Sequence, residues 1–165
     1  MKFAFADPPY LGCAAKLYGD PTYDDPEAHH ALIVRLGIEY PDGWALSCST
    51  PSLQALLPMC PPDVRVAAWV KPFAVFKPGV NPAYAWEPVI WRGGRTKRSR
   101  TVDTVRDWHS EVITLKRGTP GAKPPGFAAW IIGLLGADVR QCDTITDLFH
   151  GSGAMLGVWR MADAS

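Results

Sequence analysis

The sequence lacks the features that mark membrane and secreted proteins. It has no apolar run of about 18 residues, the length that a membrane-spanning helix requires. Its N-terminal apolar segment is interrupted at Asp7, which is too early for a signal peptide. The four cysteines are scattered, with neither metal-site spacing nor the pattern of a disulfide framework. These absences predict a protein of the reducing cytoplasm.

Histidines that could bind a metal are equally sparse. His29 and His30 are adjacent, so they would point in different directions on a helix. His109 and His150 stand alone in the sequence. We therefore predict that the protein has no metal site.

An excess of one charge sign is also missing. The formal net charge is only +1, which argues against a uniformly basic nucleic-acid-binding protein. Cations are nevertheless concentrated between residues 91 and 100, where five of the ten residues are Lys or Arg. This glycine-containing stretch is typical of a loop that contacts phosphates, although a solvated charged loop is the alternative. The candidate nucleic-acid-binding residues are Arg92, Arg95, Lys97, Arg98 and Arg100.

What the sequence does contain suits one α/β domain. Its 165 residues are 47% hydrophobic, which is sufficient for a sizeable core, and no internal repeat is present. Strand-like and helix-like segments alternate, which predicts a mostly parallel sheet of about five strands flanked by helices. The predicted strands are Lys2 to Ala6, Trp44 to Ser47, Val64 to Val70, Glu87 to Trp91, and a last strand that leads into Asp147.

Three segments predict helices. Asp25-Pro26-Glu27 is a typical start and Gly37 a typical stop, so the first helix is expected to end at about Leu36. Thr50-Pro51 starts a second helix. After Lys123, apolar residues recur with helical spacing and predict one wide buried stripe. The stripe consists of Phe127, Trp130, Ile131, Leu134 and Leu135.

The first predicted strand runs directly into the tetrapeptide Asp7-Pro8-Pro9-Tyr10. Both prolines restrict φ and offer no N–H, which leaves their carbonyls to accept hydrogen bonds from another group. A carboxylate, a carbonyl and an aromatic ring on one turn suit a planar base that carries an exocyclic amino group. An ordinary turn after a strand is the alternative, since proline pairs are common in turns.

The last predicted strand leads into a Gly-x-Gly turn, Asp147-Leu148-Phe149-His150-Gly151-Ser152-Gly153, and then into a helix-compatible segment. Glycines at such a turn allow positive φ and close approach of a ligand, as in sites for nucleotide-like cofactors. The turn lacks the third glycine of a dinucleotide fingerprint and the lysine of a phosphate-binding loop. A cofactor without phosphates is therefore expected.

Together these segments resemble the amino-methyltransferases that use S-adenosylmethionine to methylate an exocyclic amine of a nucleic-acid base. Asp7 to Tyr10 is similar to their catalytic Asp-Pro-Pro-aromatic motif, and residues 147–153 to their cofactor loop, D-x-F-x-G-S-G. Lys123-Pro124 is similar to a third element of the family. The order of the motifs is that of the permuted β class, and the chain is also similar to the messenger-RNA adenosine methyltransferases.

The resemblance implies a Rossmann-like methyltransferase fold, minimal and circularly permuted. It implies a single domain over residues 1–165 without a separate target-recognition domain, and S-adenosylmethionine as the cofactor. The implied catalytic residues are Asp7, Pro8, Pro9 and Tyr10. The implied cofactor-binding residues are Asp7, Lys123, Asp147, Phe149, His150, Gly151, Ser152 and Gly153.

The implied activity is methylation of adenine N6 in DNA, because Asp7 stands where N4-cytosine enzymes more often carry Ser. RNA adenine and cytosine N4 stay open as acceptors, as does a non-catalytic module that binds nucleic acid or a partner. Cytosine C5 methylation fits poorly, since the prolines follow Cys60 instead of preceding it. The resemblance also suggests a homodimer or a partner subunit, in a bacterial or phage-infected cell.

Three further residues are weaker candidates. Glu87 resembles a glutamate of the messenger-RNA group, and Lys71 and Asn81 are similarly placed. The main expectation is that Asp7 and Asp147 lie at the carboxyl ends of neighbouring strands, because ligands of open α/β sheets bind at that edge.

Overall fold

A computed structural model describes residues 1–73, 79–96, 104–113 and 122–163. The strands in these ranges are β1 (Lys2–Ala6), β2 (Gly43–Ser47), β3 (Arg65–Val70), β4 (Trp86–Gly93), β5 (Trp108–Ser110) and β6 (Thr144–Asp147). The α-helices are α1 (Ala14–Tyr18), α2 (Pro26–Glu39), α3 (Thr50–Leu56), α4 (Pro125–Leu135) and α5 (Ala154–Asp163). None of these helices is long and apolar enough to cross a membrane.

The strands form a single sheet in the order β5-β3-β4-β2-β1-β6. β1 is parallel to its neighbours β2 and β6, and β3 is parallel to β5. Only β4, of these strands, runs in the opposite direction, antiparallel to β2 and β3. The sheet is therefore mostly parallel, as predicted. β5 is not among the predicted strands, because its three residues are too few for a recognisable alternation.

Helices cover both faces of the sheet, and β1 contributes to both cores. Phe3 and Phe5 belong to the core that contains α4 and α5, whereas Ala4 and Ala6 belong to the core that contains α2 and α3. Successive side chains of a strand point to opposite faces. Burial on both faces explains why β1 has an apolar run in place of an alternating pattern.

Helix α4 carries the predicted apolar stripe, and all five stripe residues are buried. The ring of Phe127 packs edge-on against Phe5 with 5.8 Å between centroids. Removal of a buried phenylalanine side chain typically costs about 3–5 kcal/mol. This packing fixes the start of α4, and with it Lys123, two residues before the helix.

Helix α2 starts at Pro26 as predicted, but the predicted stop at Gly37 is wrong, because the helix continues to Glu39. A glycine inside a helix costs only about 1 kcal/mol relative to alanine. The additional residues bring Tyr40 into the core, where it is 7% exposed. The helix ends there because Pro41 disfavours a helical conformation in the residue before it.

The carboxyl ends of β1 and β6 lie side by side. Phe5 is paired with Asp147 across the two strands. The N–H of Leu148 continues the pairing by donating to the carbonyl of Phe5 at 3.0 Å. Asp7 follows β1 directly, so the predicted meeting of the first and last strand ends is confirmed.

Candidate active site

A cleft of about 950 Å³ lies at this edge of the sheet. One part of it is lined by the tetrapeptide Asp7 to Tyr10 and another by the turn that follows β6. The segment before α4 contributes Lys123, and the start of β4 contributes Glu87. A volume of this size falls within the range of about 300–1,000 Å³ that small-molecule sites occupy.

Asp7 forms an ion pair with Lys123. The ammonium nitrogen lies 2.8 Å from each carboxylate oxygen and donates a further hydrogen bond to the Tyr10 hydroxyl at 3.1 Å. The two partners of the ion pair are 116 positions apart in the sequence. The Lys123 side chain is 9% exposed and that of Asp7 is 20% exposed, so the carboxylate keeps access to the cleft.

Three aromatic rings surround the ammonium group of Lys123. The nitrogen lies 5.4 Å from the ring centroid of Tyr10, 5.7 Å from that of Trp69 and 5.9 Å from that of Phe127. Cation–π attraction of this kind is worth about 0.5–2 kcal/mol. The three rings and the Asp7 carboxylate together fix the position of the Lys123 ammonium group.

Glu87 extends the network on β4. The Tyr10 hydroxyl donates to one carboxylate oxygen of Glu87 at 2.7 Å, and Lys71 donates to the other at 2.8 Å. Lys123 lies 3.6 Å from the first of these oxygens. The sequence offers Glu87 and Lys71 only as weaker candidates, and the structure brings both into the cleft. Asn81, in contrast, is exposed and does not line it.

Burial and neighbouring charges set the protonation of this cluster. Burial raises the pKa of Asp7 despite the opposing effect of Lys123. Burial by itself would lower the pKa of Lys123, but Asp7 and Glu87 outweigh it and the pKa is raised. Burial would raise the pKa of Glu87, but Lys123 and Lys71 outweigh it and the pKa is lowered. Burial and the nearby carboxylates raise the pKa of Tyr10 well above its ordinary value, which keeps the phenol protonated.

The turn after β6 has the geometry that its glycines predict. Asp147 ends the strand with 4% exposure, and its carboxylate accepts a hydrogen bond from the N–H of Phe149 at 3.3 Å. Gly151 and Gly153 have φ values of 42° and 74°, in the left-handed region that favours glycine. Helix α5 follows at once. The predicted residues of this turn that line the cleft are Asp147, Phe149, His150, Gly151 and Ser152, whereas Gly153 shapes the turn without lining the cleft.

Asp147 and Phe149 are the residues of this turn that have the clearest interactions with the rest of the protein. Burial raises the pKa of Asp147, and the charge of Asp7 adds to this effect. The ring of Phe149 packs edge-on against Tyr23, with centroids 5.3 Å apart. The turn is therefore fixed by packing on one side while its other side faces the cleft.

Arg92 and Arg95 lie at the opposite ends of the strands from the cleft. β4 is antiparallel to β2, so the end of β4 lies where β2 begins. Arg92 pairs with Asp63 at 2.7 Å, and Arg95 pairs with Asp143 at 2.6 Å. Their binding to nucleic acid stays a prediction, and these ion pairs place them away from the cleft. Lys97, Arg98 and Arg100 lie outside the described residues.

Aromatic residues at the mouth of the cleft were missed in the sequence. Tyr18, Tyr84 and Trp86 line the cleft and are 52%, 53% and 39% exposed. Tyr18 ends α1, a five-residue helix that is too short to show a helical period. The carboxylate of Asp24 accepts hydrogen bonds from the first two N–H groups of this helix, at 2.8 and 2.9 Å. Because this acid lies after the helix in the chain, no N-cap pattern precedes it.

Metal and thiol chemistry find little support at this site. Over the described ranges, no group of three or more His, Cys, Asp or Glu side chains could hold a metal ion. The four cysteines are free thiols. Burial raises the pKa of Cys48 to about 12 and that of Cys60 to about 11, so neither is a ready thiolate nucleophile at neutral pH.

Comparison with known proteins bears on the fold. No protein-family model and no curated protein matches the sequence. Among solved structures, the crystal structure of the M1.HpyAVI–SAM complex is similar, with a TM-score of 0.61 and 14% sequence identity. The similarity covers 98% of this chain and 78% of that chain. At this identity the comparison establishes the fold alone, which is the predicted Rossmann-like methyltransferase fold.

Proposed function

We propose that this protein transfers a methyl group from S-adenosylmethionine (SAM) to the N6 amine of adenine in DNA. The observation that carries the proposal is the meeting of the β1 and β6 ends at one cleft, where the Asp7 tetrapeptide and the glycine turn are both exposed to the same space. Similarity in fold to a protein solved with SAM supports it. Membership in the permuted β class is part of the same proposal.

The tetrapeptide is proposed to receive the base. An exocyclic amine is a poor nucleophile because its lone pair is delocalised into the ring. Acceptance of its two hydrogens by the Asp7 carboxylate and the Pro8 carbonyl would favour a more tetrahedral nitrogen. Stacking of the base on Tyr10 would contribute about 1–3 kcal/mol. In a duplex, the target base would have to leave the helical stack to reach this position.

Lys123 and Glu87 are proposed to position these groups. Lys123 favours the ionised form of Asp7, which burial opposes. Glu87 accepts the hydrogen bond of the Tyr10 hydroxyl and thereby orients the ring. Each carboxylate oxygen has two lone pairs, so Asp7 can accept from the base amine while it stays paired with Lys123.

The turn after β6 is proposed to hold the cofactor. Three carboxylates (Asp7, Glu87 and Asp147) and two ammonium groups (Lys71 and Lys123) line the cleft, and their net negative charge favours a sulfonium cation. SAM supplies an already activated methyl group, so the protein has only to align donor and acceptor at about 3–3.5 Å. The residues proposed to contact the cofactor are Asp7, Lys123, Asp147, Phe149, His150, Gly151, Ser152 and Gly153.

The substitution Asp7→Ala tests the catalytic assignment. Removal of the acceptor carboxylate should lower kcat for methyl transfer by about 10²–10⁴-fold, the usual contribution of a positioned acid or base. Mass spectrometry of digested nucleosides, after incubation with SAM and DNA, measures the product. The matched control is Asp107→Ala, which removes an exposed aspartate that does not line the cleft and should leave the rate unchanged. An Asp7→Ala protein that methylates at the wild-type rate would refute the assignment.

The same measurement separates the other acceptors. N6-methyladenine in DNA is the expected product. N6-methyladenosine in RNA or N4-methylcytosine would show that the methyl acceptor is RNA adenine or cytosine N4 instead. Calorimetry with SAM addresses the remaining alternative, because a non-catalytic module that has lost its cofactor site would give no binding heat. Sedimentation of the purified protein tests the predicted homodimer.

A further inference from the structure

We infer that the substrate enters this site as an unpaired strand, and that the bases next to the target stack on the aromatic residues at the mouth of the cleft. The inference rests on the proposed function, since it takes the target base to lie against Tyr10. The residues assigned to this stacking surface, here called the mouth residues, are Tyr18, Tyr84 and Trp86.

The mouth residues are exposed aromatic side chains that line one cleft. Each of them lines the cleft, and they are 52%, 53% and 39% exposed. Leu17, which is 50% exposed, also lines the cleft beside Tyr18. Single exposed apolar side chains are ordinary on protein surfaces, but several exposed rings that line the same cleft indicate a binding surface.

Two of the mouth residues, Tyr18 and Trp86, lie on a helix and a strand. Tyr18 ends α1, which Asp24 fixes at its other end through two hydrogen bonds. Trp86 is the first residue of β4 and pairs with Val70 of β3. Tyr84 precedes it by two residues. Aromatic rings on a fixed backbone lose little conformational freedom when a partner stacks on them, which favours binding.

Because of the charges in the cleft, the mouth residues are expected to contact the faces of bases and not phosphates. The two ammonium groups, Lys71 and Lys123, have side chains only 9% exposed and are paired with carboxylates. A duplex presents its phosphates outward and keeps its base faces stacked on one another, so it has no free base face to offer to the mouth residues. An unpaired strand can offer base faces, and every base has a face that stacks on an aromatic ring.

An unpaired strand also removes an energetic barrier to the proposed reaction. A target base in a duplex must first be unpaired and unstacked, at the expense of binding free energy. In a single strand, Tyr10 and the mouth residues would replace the stacking that the base and its neighbours lose. The interior ring and the exposed rings would then act on adjacent nucleotides of one strand.

Fluorescence anisotropy tests the inference directly. The probe is a labelled mixed-sequence DNA oligonucleotide, either unpaired or annealed to its complement, in the presence of S-adenosylhomocysteine so that no turnover occurs. The wild-type protein should bind the unpaired probe more tightly than the duplex. Trp86→Ala and Tyr84→Ala should each weaken binding of the unpaired probe by about 5- to 100-fold, the usual range for one stacked base.

Conservative and matched variants separate stacking from general damage. Trp86→Phe and Tyr84→Phe keep a ring and should retain most of the affinity. Trp108→Ala is the matched control, because Trp108 is 45% exposed on β5 and does not line the cleft. Its affinity for the unpaired probe should equal that of the wild type. An unpaired RNA of the same sequence should respond to Trp86→Ala in the same way, because stacking does not depend on the sugar.

Four results would overturn the inference. The first is a duplex that binds as tightly as the unpaired probe, and the second is an equal loss of affinity in Trp86→Ala and Trp108→Ala. The third is RNA binding that Trp86→Ala leaves unchanged. The fourth is a wild-type dimer that Trp86→Ala dissociates without a change in strand binding, since the patch would then be an interface between copies. Failure of the proposed function is distinguishable, because it would appear as absent methyl transfer and absent SAM binding in a protein that still binds unpaired strands through Trp86.

Discussion

Two ion-paired aspartates lie at opposite ends of the neighbouring strands β1 and β6 and differ in what surrounds them. Asp143 precedes β6 and accepts hydrogen bonds from the Met1 amino group at 2.8 Å, from Arg95 at 2.6 Å and from the N–H of Asp138 at 2.9 Å. Its side chain is 1% exposed. Asp7 follows β1, is 20% exposed and borders the cleft. One carboxylate is enclosed by its partners, and the other keeps a side open for a ligand.

The pKa values of the two carboxyls move in opposite directions. Burial would raise the pKa of Asp143, but the terminal amino group and Arg95 outweigh it and lower the pKa. Burial of Asp7 outweighs Lys123 and raises the pKa. A lowered pKa means that folding favours the charged form, and a raised pKa means that folding opposes it. The charge of Asp143 therefore stabilises the fold, whereas the charge of Asp7 is held against a free-energy cost, as is common in functional sites.

The largest expected contrast is in stability. Asp143→Ala removes the carboxylate that two cations share and should lower the free energy of unfolding by about 3 kcal/mol. Asp7→Ala should lower it by less than about 1 kcal/mol, because Glu87 stays close to Lys123. Urea denaturation followed by circular dichroism measures both. Equal destabilisation by the two substitutions would remove the distinction between a structural and a functional carboxylate.

Acidification should stop methyl transfer before it unfolds the protein. Burial raises the pKa of Asp7 above its ordinary value of 3.8, so the proposed acceptor carboxylate is protonated and lost as the pH falls through that raised pKa. The stabilisation by Asp143 is present above the ordinary value and is lost only as the pH falls through its lowered pKa. The kcat/KM for methyl transfer and far-UV circular dichroism, measured over one pH series, test this order. Loss of both signals at the same pH would contradict it.

The smallest expected effect comes from Tyr10→Phe, which keeps the ring and removes the hydroxyl. Loss of the hydrogen bond to Glu87 should lower kcat/KM by about three- to tenfold, the range for a single net hydrogen bond. Tyr10→Ala, which also removes the stacking face, should lose about 5- to 100-fold more. Steady-state kinetics of the two variants separates orientation from stacking. Identical rates for the two would show that the ring does not contact the base.

Features that depend on neighbouring residues could be predicted from the sequence. The end of β1 before Pro8 and Pro9 follows from their missing N–H groups, although the turn itself comes later, at residues 11–13. The apolar stripe of α4 follows from helical spacing. The positive φ values at Gly151 and Gly153 follow from the Gly-x-Gly pattern. Each of these signals is local, so no knowledge of the rest of the chain is required.

Features that depend on distant partners could not be predicted. The stretch that contains Arg95 predicts phosphate binding, yet Arg95 pairs with Asp143, 48 positions away. Gly37 predicts a helix end, yet the burial of Tyr40 carries α2 past it. Helix α1 depends on a carboxylate that follows it in the chain. In each case a contact made after folding outweighs a weak local preference.

The chain's residue order was sufficient to predict the proposed acceptor groups, the Gly-x-Gly turn and the alternation of strands and helices, because hydrophobic period and backbone restrictions act over a few residues. The tertiary structure then decided which charged side chains form ion pairs. Lys123 reaches Asp7 across 116 positions only because α4 packs on the same sheet whose ends form the cleft. The exposed rings come to line one cleft for the same reason, since two segments remote in sequence, α1 and the start of β4, converge there.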